Sequence, residues 1–429
     1  YGETALTMSG RGRSAHYNAL ARLAALSGKP LSIDQINPQT DQWPFGSISY
    51  FYGYQLVRTL QEREARRDNG VWPIGDVFLN TSNALPFFVN NGLKETAGLT
   101  YGELMDLSNQ AMFARQQPSI ALLQSSRLTP LPRLTPLASN AGRPVVLISD
   151  PRYVFLPLQP MDGRNRAYSV IIPDVNAAPA LKSLDTVAPR NDASLTADGL
   201  FLYYTSFNLY NKNLLYGDLY RHNLETNTSE RITTGARIRN ASVSPDGRTI
   251  AFTRDVMAIQ TVWIARIDAL EKGLFDNTAD CPVPKQRFTP DSEPGAFLID
   301  AAPYGVQFYD PAFSSDSRRL VYSRADSVGW AFKVKTISSS EPPLVVLSAS
   351  DAMLLHPSFT RQDDAILFSS DKTGVFNAWR INAADNRKGQ TNSDWSTVSP
   401  IPVSNAMGGI FFPADDGAGR VVGDRKSVV

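Results

Sequence analysis

The chain is short of the residues that most often build metal centres and covalent cross-links. Its 429 residues include one cysteine, Cys281, and three histidines, His16, His222 and His356. A single cysteine cannot close an intramolecular disulfide or furnish a cysteine-based zinc site. The histidines are scattered, and none has a second histidine three or four residues away. Each therefore reads as a surface or hydrogen-bonded structural residue. No run of about 18 apolar residues is present, so this chain encodes no transmembrane helix. The opening stretch "YGETALTMSGRGRSAHYNAL" has no apolar signal core and no initiator methionine, and it reads as a piece of a longer product. Neither sign of charge is in excess: 42 Lys and Arg face 41 Asp and Glu, for a net charge of +1. That balance gives no reason to expect a nucleic-acid partner.

Several catalytic patterns are also missing. There is no Gly-x-Ser-x-Gly nucleophile elbow, so a serine hydrolase of the prolyl-oligopeptidase type is not encoded. No Walker or dinucleotide glycine pattern occurs, and no cofactor is expected for this chain. "SPDGRTIAF" sets Asp and Gly side by side and does not match a sialidase Asp box.

What is present is 42% hydrophobic and 19% charged residues, ample for a large core and, at this length, for two or three domains. Residues 1–125 carry helical spacing. "SAHYNALARLAALSG" offers Ser14 as N-cap and Gly28 as stop, with Leu20, Leu23, Ala24 and Ala25 on one face. "SISYFYGYQLVRTLQEREARRDNG" runs from Ser47 to Gly70, with Ile48, Phe51, Tyr52, Leu56 and Leu60 recurring at near-helical intervals. "TYGELMDLSNQAMFARQQP" holds Thr100 and Glu103, the spacing of a capping box, and is expected to stop before Pro118. Residues 126–142 are proline-rich and suit an extended linker or entry strand.

From residue 143 onward the period changes from about 3.6 to 2. Leu147, Leu195, Val243, Phe313 and Phe359 share one column of a repeat. Asp150, Asp198, Asp246 and Asp316 share a turn column, taken in the last copy by Gln362 beside Asp363. Val154, Leu202, Ile250, Leu320 and Ile366 follow, then Leu156, Tyr204, Phe252, Tyr322 and Phe368. The copies are offset by about 48, 48, 70 and 46 residues, the length of one four-stranded propeller blade. The long offset reads as an insertion, mostly loop, between the copies at Val243 and Phe313. A sixth copy begins at "GGIFFPADDGAGRVV", where the turn column loses its order and the chain ends before a full blade. A solenoid of sheets would satisfy the same periodicity, since each unit only needs a neighbour to hide its faces. Tyr-rich "LYYTSFNLYNKNLLYGDLY", 202–220, reads as blade core, with a groove as the alternative. The clusters "DGRNR" and "REARRD" read as solvated surface.

"VSPDGRTIAFTR", "PAFSSDSRRLVYSRAD" and "HPSFTRQDDAILFSSDKTGVFNAWRIN" resemble the repeats of TolB-like, WD-repeat-related β-propellers over residues 143–429. The fold class expected is α+β multidomain: a small all-α N-terminal domain, then an all-β propeller of the six-bladed type with five recognisable blades and part of another. The resemblance implies a binding scaffold of the bacterial cell envelope, periplasmic or outer-membrane-associated. A protein or peptide partner would be engaged there, within an envelope assembly.

The N-terminal part, with "WPFGSISYFYGYQLVRTL", resembles the helical C-terminal half of a gluzincin peptidase domain. Such a domain binds zinc through a His-Glu-x-x-His helix, two histidines one turn apart with the Glu activating water. No such motif occurs in this chain. The resemblance implies, as the alternative function, a fragment of a zinc-dependent metallopeptidase whose motif lies upstream, with zinc held only in the intact protein. In "YFYG" it places Tyr50 at the position of a catalytic oxyanion donor, useful only beside an activated water.

Overall fold

In the computed structural model the residues described are 12, 14–36, 45–64, 73–83, 88, 90–130, 138–147, 150, 152–160, 166–171, 180–184, 192–256, 259–275, 295–301, 303–383, 399–417 and 419–425. The chain forms two compact units. One comprises residues 1–129 with 405–409 and 426–429, the other residues 130–404 with 410–425.

The first unit is helical: α1 (Ala15–Ser27), α2 (Phe45–Glu64), α3 (Pro73–Ser82), α4 (Asn90–Ala97) and α5 (Tyr101–Ser125). Helix α1 closes on Gly28 in the left-handed conformation (φ 63°), as an αL stop requires. Leu20 and Ala21 pack with Ile48, Phe51, Tyr52, Met105 and Met112, and Leu60 with Val77, Leu93 and Leu104. Ser47 is not the first residue of its helix: α2 already includes Phe45 and ends at Glu64, while Gly70 lies outside the described residues. At α5 the capping box forms. Thr100 Oγ1 accepts from the Glu103 amide at 3.2 Å, and the Thr100 amide donates to Glu103 Oε2 at 2.7 Å. The expected stop before Pro118 is wrong, because α5 runs through it to Ser125. Pro118 removes one backbone donor, but Ile120 and Leu123 beyond it are buried. Packing of those side chains outweighs the lost bond.

The second unit is built of antiparallel sheets in sequence order. Blade 1 holds β1 (Ala138–Ala141), β2 (Val145–Val146), β3 (Tyr153–Pro160), β4 (Arg166–Ile171) and β5 (Ala180–Leu184). Strands β1 and β2 lie on the same edge of β3. Blade 2 is β6 (Ala193–Leu195), β7 (Phe201–Tyr210), β8 (Leu214–Asn223) and β9 (Thr228–Arg231). Blade 3 is β10 (Ile238–Val243), β11 (Thr249–Val256), β12 (Ile259–Arg266) and, after the short α6 (Ile267–Glu271), β13 (Ala296–Ala301). The long insertion is thus not all loop, since its later part supplies the outer strand of this blade. Blade 4 is β14 (Gln307–Phe313), β15 (Arg319–Ala325), β16 (Trp330–Thr336) and β17 (Leu344–Ala349). Blade 5 is β18 (Leu354–Phe359), β19 (Ala365–Ser370), β20 (Asn377–Asn382) and β21 (Ile401–Pro402). The sixth sheet has two strands among the described residues, β22 (Ile410–Asp415) and β23 (Val421–Arg425).

The repeat columns occupy equivalent places. Leu195 pairs with Leu202, Val243 with Ile250, Phe313 with Leu320 and Phe359 with Ile366. Only the first copy slips, by one residue: Val146, not Leu147, pairs with Val154. Faces of successive sheets bury one another. Phe252, Phe308, Tyr322, Phe332 and Phe368 are almost wholly withdrawn from solvent, each contributing about 1.5–3 kcal/mol. The innermost strands pack blade to blade, and β22 returns to contact β2. The unit is therefore a six-bladed propeller rather than a solenoid.

The turn column bonds as its chemistry predicts. Thr196, Ser244 and Ser314 donate their hydroxyls to Asp198, Asp246 and Asp316 at 2.5, 2.6 and 2.6 Å. In the fifth copy the partner of Thr360 is Asp364, at 2.6 Å, and not Gln362. Asp363 takes the left-handed turn position (φ 57°) that Gly247 and Ser317 hold in the two preceding copies. From there it accepts from the Ser315 amide (2.8 Å) and hydroxyl (2.6 Å) of the preceding blade.

Candidate functional site

The innermost strands share a second feature, three residues before the apolar column. Asn240, Asp310, His356 and Phe412 all take positive φ, 51°, 51°, 53° and 53°. Each sits where the ladder to the second strand shifts register. A bulge with a left-handed residue turns its side chain off the strand's alternation. For a side chain other than Gly it costs about 1–2 kcal/mol, and such strain tends to collect at functional sites. In blade 2 the same position holds Asp192.

These residues bond from blade to blade. Asp192 Oδ2 accepts from the Ala241 amide of blade 3 at 2.8 Å, and both its oxygens lie 2.7 Å from the Thr205 hydroxyl. Two residues on, Ser194 Oγ accepts from the Val243 amide at 2.6 Å. His356 Nδ1 accepts from the Phe412 amide at 3.4 Å, and its ring centroid lies 3.7 Å from that of Phe412. The neutral ring then carries its proton on Nε2, 3.7 Å from Asp310 Oδ2. Arg143, at the start of blade 1, donates to the carbonyl oxygens of Pro311 (3.3 Å) and Asp310 (3.4 Å) in blade 4. Blades 1 and 4 lie opposite one another in a ring of six, so this side chain crosses the propeller axis.

Arg143 also lines a cavity of about 190 Å³ whose wall draws on every blade. Val145, Val146, Leu195, Phe313 and Phe359 make it apolar. Ser194, Thr196, Ser242, Asp415 and Arg143 give it polar points. Burial pulls the Arg143 guanidinium below its ordinary range, while nearby Asp310 and Asp192 push it back up. Burial pushes the Asp192 carboxyl up, against the Thr205 hydroxyl and the Ala241 amide. Asp415 accepts from the amides of Arg361 and Gly417, each at 2.9 Å, which fixes its orientation. The arrangement offers a small socket of mixed polar and apolar lining with fixed hydrogen-bonding points, and among its described lining residues no nucleophile is paired with a base.

Tyr50 is on α2 and exposed (59%). Among the described residues no three His, Cys, Asp or Glu side chains group to hold a metal. His222 is buried with Nδ1 2.9 Å from Ser229 Oγ. The described residues do not fit a zinc site. The cluster 162–165 and Cys281 lie outside the described residues. No helix among the described residues is long and apolar enough to cross a membrane.

Arg143, Asp192, Asp310 and Asp415 escaped the sequence reading, and His356 was read as structural. The available signal was the polar column three residues before each apolar anchor. Strict alternation conceals it, because a bulge breaks the period.

No family model matches the chain, and no curated protein matches it. Among solved structures it is similar to TolB from Acinetobacter baumannii at 12% identity and TM-score 0.39, over 74% of this chain and 73% of that one. It is similar to a prolyl endopeptidase structure at 13% identity and TM-score 0.37, over 64% of this chain and 37% of that one. An oligogalacturonate lyase in complex with manganese is similar at 10% identity and TM-score 0.36, over 62% of this chain and 78% of that one. At such distances the propeller assignment stands on the blades themselves, and none of these proteins lends this chain an activity.

Proposed function

We propose that the chain is a binding scaffold of the cell envelope whose propeller engages a protein or peptide partner through the axial cavity. The observation that carries this reading is the convergence of all six blades on one socket. Its volume is below the about 300–1,000 Å³ of ordinary small-molecule pockets. It suits one anchoring side chain with its flanking backbone. The apolar wall would hold the side chain, and Ser194, Thr196, Ser242 and Asp415 would meet peptide N–H and C=O groups.

The test is selection of peptides from a displayed library on the purified protein, repeated with Ser242→Trp, which fills the cavity. Peptides that bind the parent at least about tenfold more tightly than the filled variant, at unchanged Tm, support the reading. Equal binding by both proteins would place recognition elsewhere.

A further inference from the structure

We propose that the β7–β8 hairpin of blade 2 is an interfacial anchor for an anionic lipid surface. This does not rest on the axial cavity. The second strand of each complete blade starts three residues after its turn acid, or beside it in blade 5, so differences in length appear at the far end. In blade 2 the ladder between second and third strands has ten pairs, from Phe201–Asn223 to Tyr210–Leu214. It has eight in blade 3, seven in blade 4 and six in blades 1 and 5. At about 3.3 Å per residue the hairpin projects roughly 7–13 Å past its neighbours. The turn that lets it do so has Asn211 and Lys212 at φ 47° and 67°, backbone that matches the twist of a tight hairpin.

The last two pairs are largely apolar and open to solvent. Leu209 and Leu215 face each other across the ladder at 62% and 59% exposure, and Leu214, opposite Tyr210, is at 38%. From Phe207 to Gly217 there is no acidic residue, and the one charge is Lys212 at the turn. Tyr210, in the terminal pair with Leu214, packs on Tyr216, one pair below Leu209–Leu215, with ring centroids 5.3 Å apart, and donates its hydroxyl to Asp218 at 2.6 Å. The Arg237 guanidinium lies 4.4 Å from the Tyr216 ring centroid and donates to its hydroxyl at 3.1 Å. Exposed leucines flanked by Lys212 at the turn, by tyrosines and by Arg237 are the side chains an anionic bilayer interface takes, with aliphatic groups at the acyl boundary, tyrosines at headgroup level and cations on the phosphates. A convex tip inserts, whereas a partner protein would have to supply a groove, and no acidic residue on the tip opposes a negative surface.

The test is flotation of the full chain with vesicles of phosphatidylcholine mixed with phosphatidylglycerol, and with vesicles of phosphatidylcholine alone. The expected result is binding to the anionic vesicles, weakened by salt and weaker on the neutral ones. It should fall at least about tenfold in Leu209→Ser/Leu214→Ser/Leu215→Ser, whose changes are exposed. Arg237→Gln should reduce the preference for anionic lipid. In Leu215→Trp the tryptophan emission should shift to the blue on binding and be quenched by brominated acyl chains. A parent that stays unbound, a triple variant that floats equally well, or a floating Leu215→Trp without the spectral shift would each overturn the proposal. A tip that serves only a protein partner gives the first of these results.

Discussion

Arg143 in the first blade and Asp310 in the fourth are joined across the propeller axis, the guanidinium donating to the Asp310 carbonyl oxygen at 3.4 Å and to that of Pro311 at 3.3 Å. The link ties opposite blades that share no strand ladder. Arg143→Ala should lower stability by about 1–3 kcal/mol, the scale of hydrogen bonds made by a charged donor, and enlarge the cavity. Urea unfolding of the two proteins measures it. Equal midpoints would mean that the crossing contributes nothing to holding the ring.

Gly217 approaches the inner strand of blade 3 so closely that an added Cβ would lie 2.1 Å from the Ile238 carbonyl oxygen. Backbone cannot swing aside as a side chain can. Gly217→Ala should cost about 1–3 kcal/mol through overpacking, seen as a lower Tm. A variant as stable as the parent would show that blades 2 and 3 have room to separate.

Asp192 has a carboxyl raised above its ordinary 3.8 by burial. The folded state therefore holds its proton more tightly than the unfolded chain. The resulting stability is full below the unfolded pKa and is lost as pH rises through the folded one. Asp192→Asn removes this dependence while keeping an acceptor for the Ala241 amide. Denaturation at several pH values should show the parent losing ground to the variant as pH rises from about 4 towards neutrality. A difference that does not vary with pH would contradict the burial argument.

Asp363 accepts from the Ser315 amide and hydroxyl and from the Asp316 amide (3.2 Å), all in the neighbouring blade. It does so from a left-handed backbone (φ 57°). Asp363→Ala loses the acceptors and keeps the strain, and should cost about 2–4 kcal/mol. Asp363→Asn, which tolerates that backbone and keeps one acceptor, should cost less. Thermal unfolding ranks the two, and the reverse order would refute the assignment.

The sequence was most legible where one residue's chemistry acts locally. The Thr100–Glu103 box, the Gly28 stop and the column of turn aspartates are local features, so spacing alone places them. It was least legible where distant segments compete. Pro118 sits inside a helix because packing further along overrides it. Asp364, not Gln362, bonds Thr360 in that turn, while Asp363 reaches the preceding blade.

By itself the sequence determined the repeating strands and their apolar columns, since a period of two and a tight turn follow from neighbouring residues. Only the tertiary structure decided that β22 meets β2 to close the ring and that Arg143 spans it. Those relationships join residues more than a hundred positions apart. Such contacts depend on how the sheets stack and twist, and no local pattern in the chain encodes that.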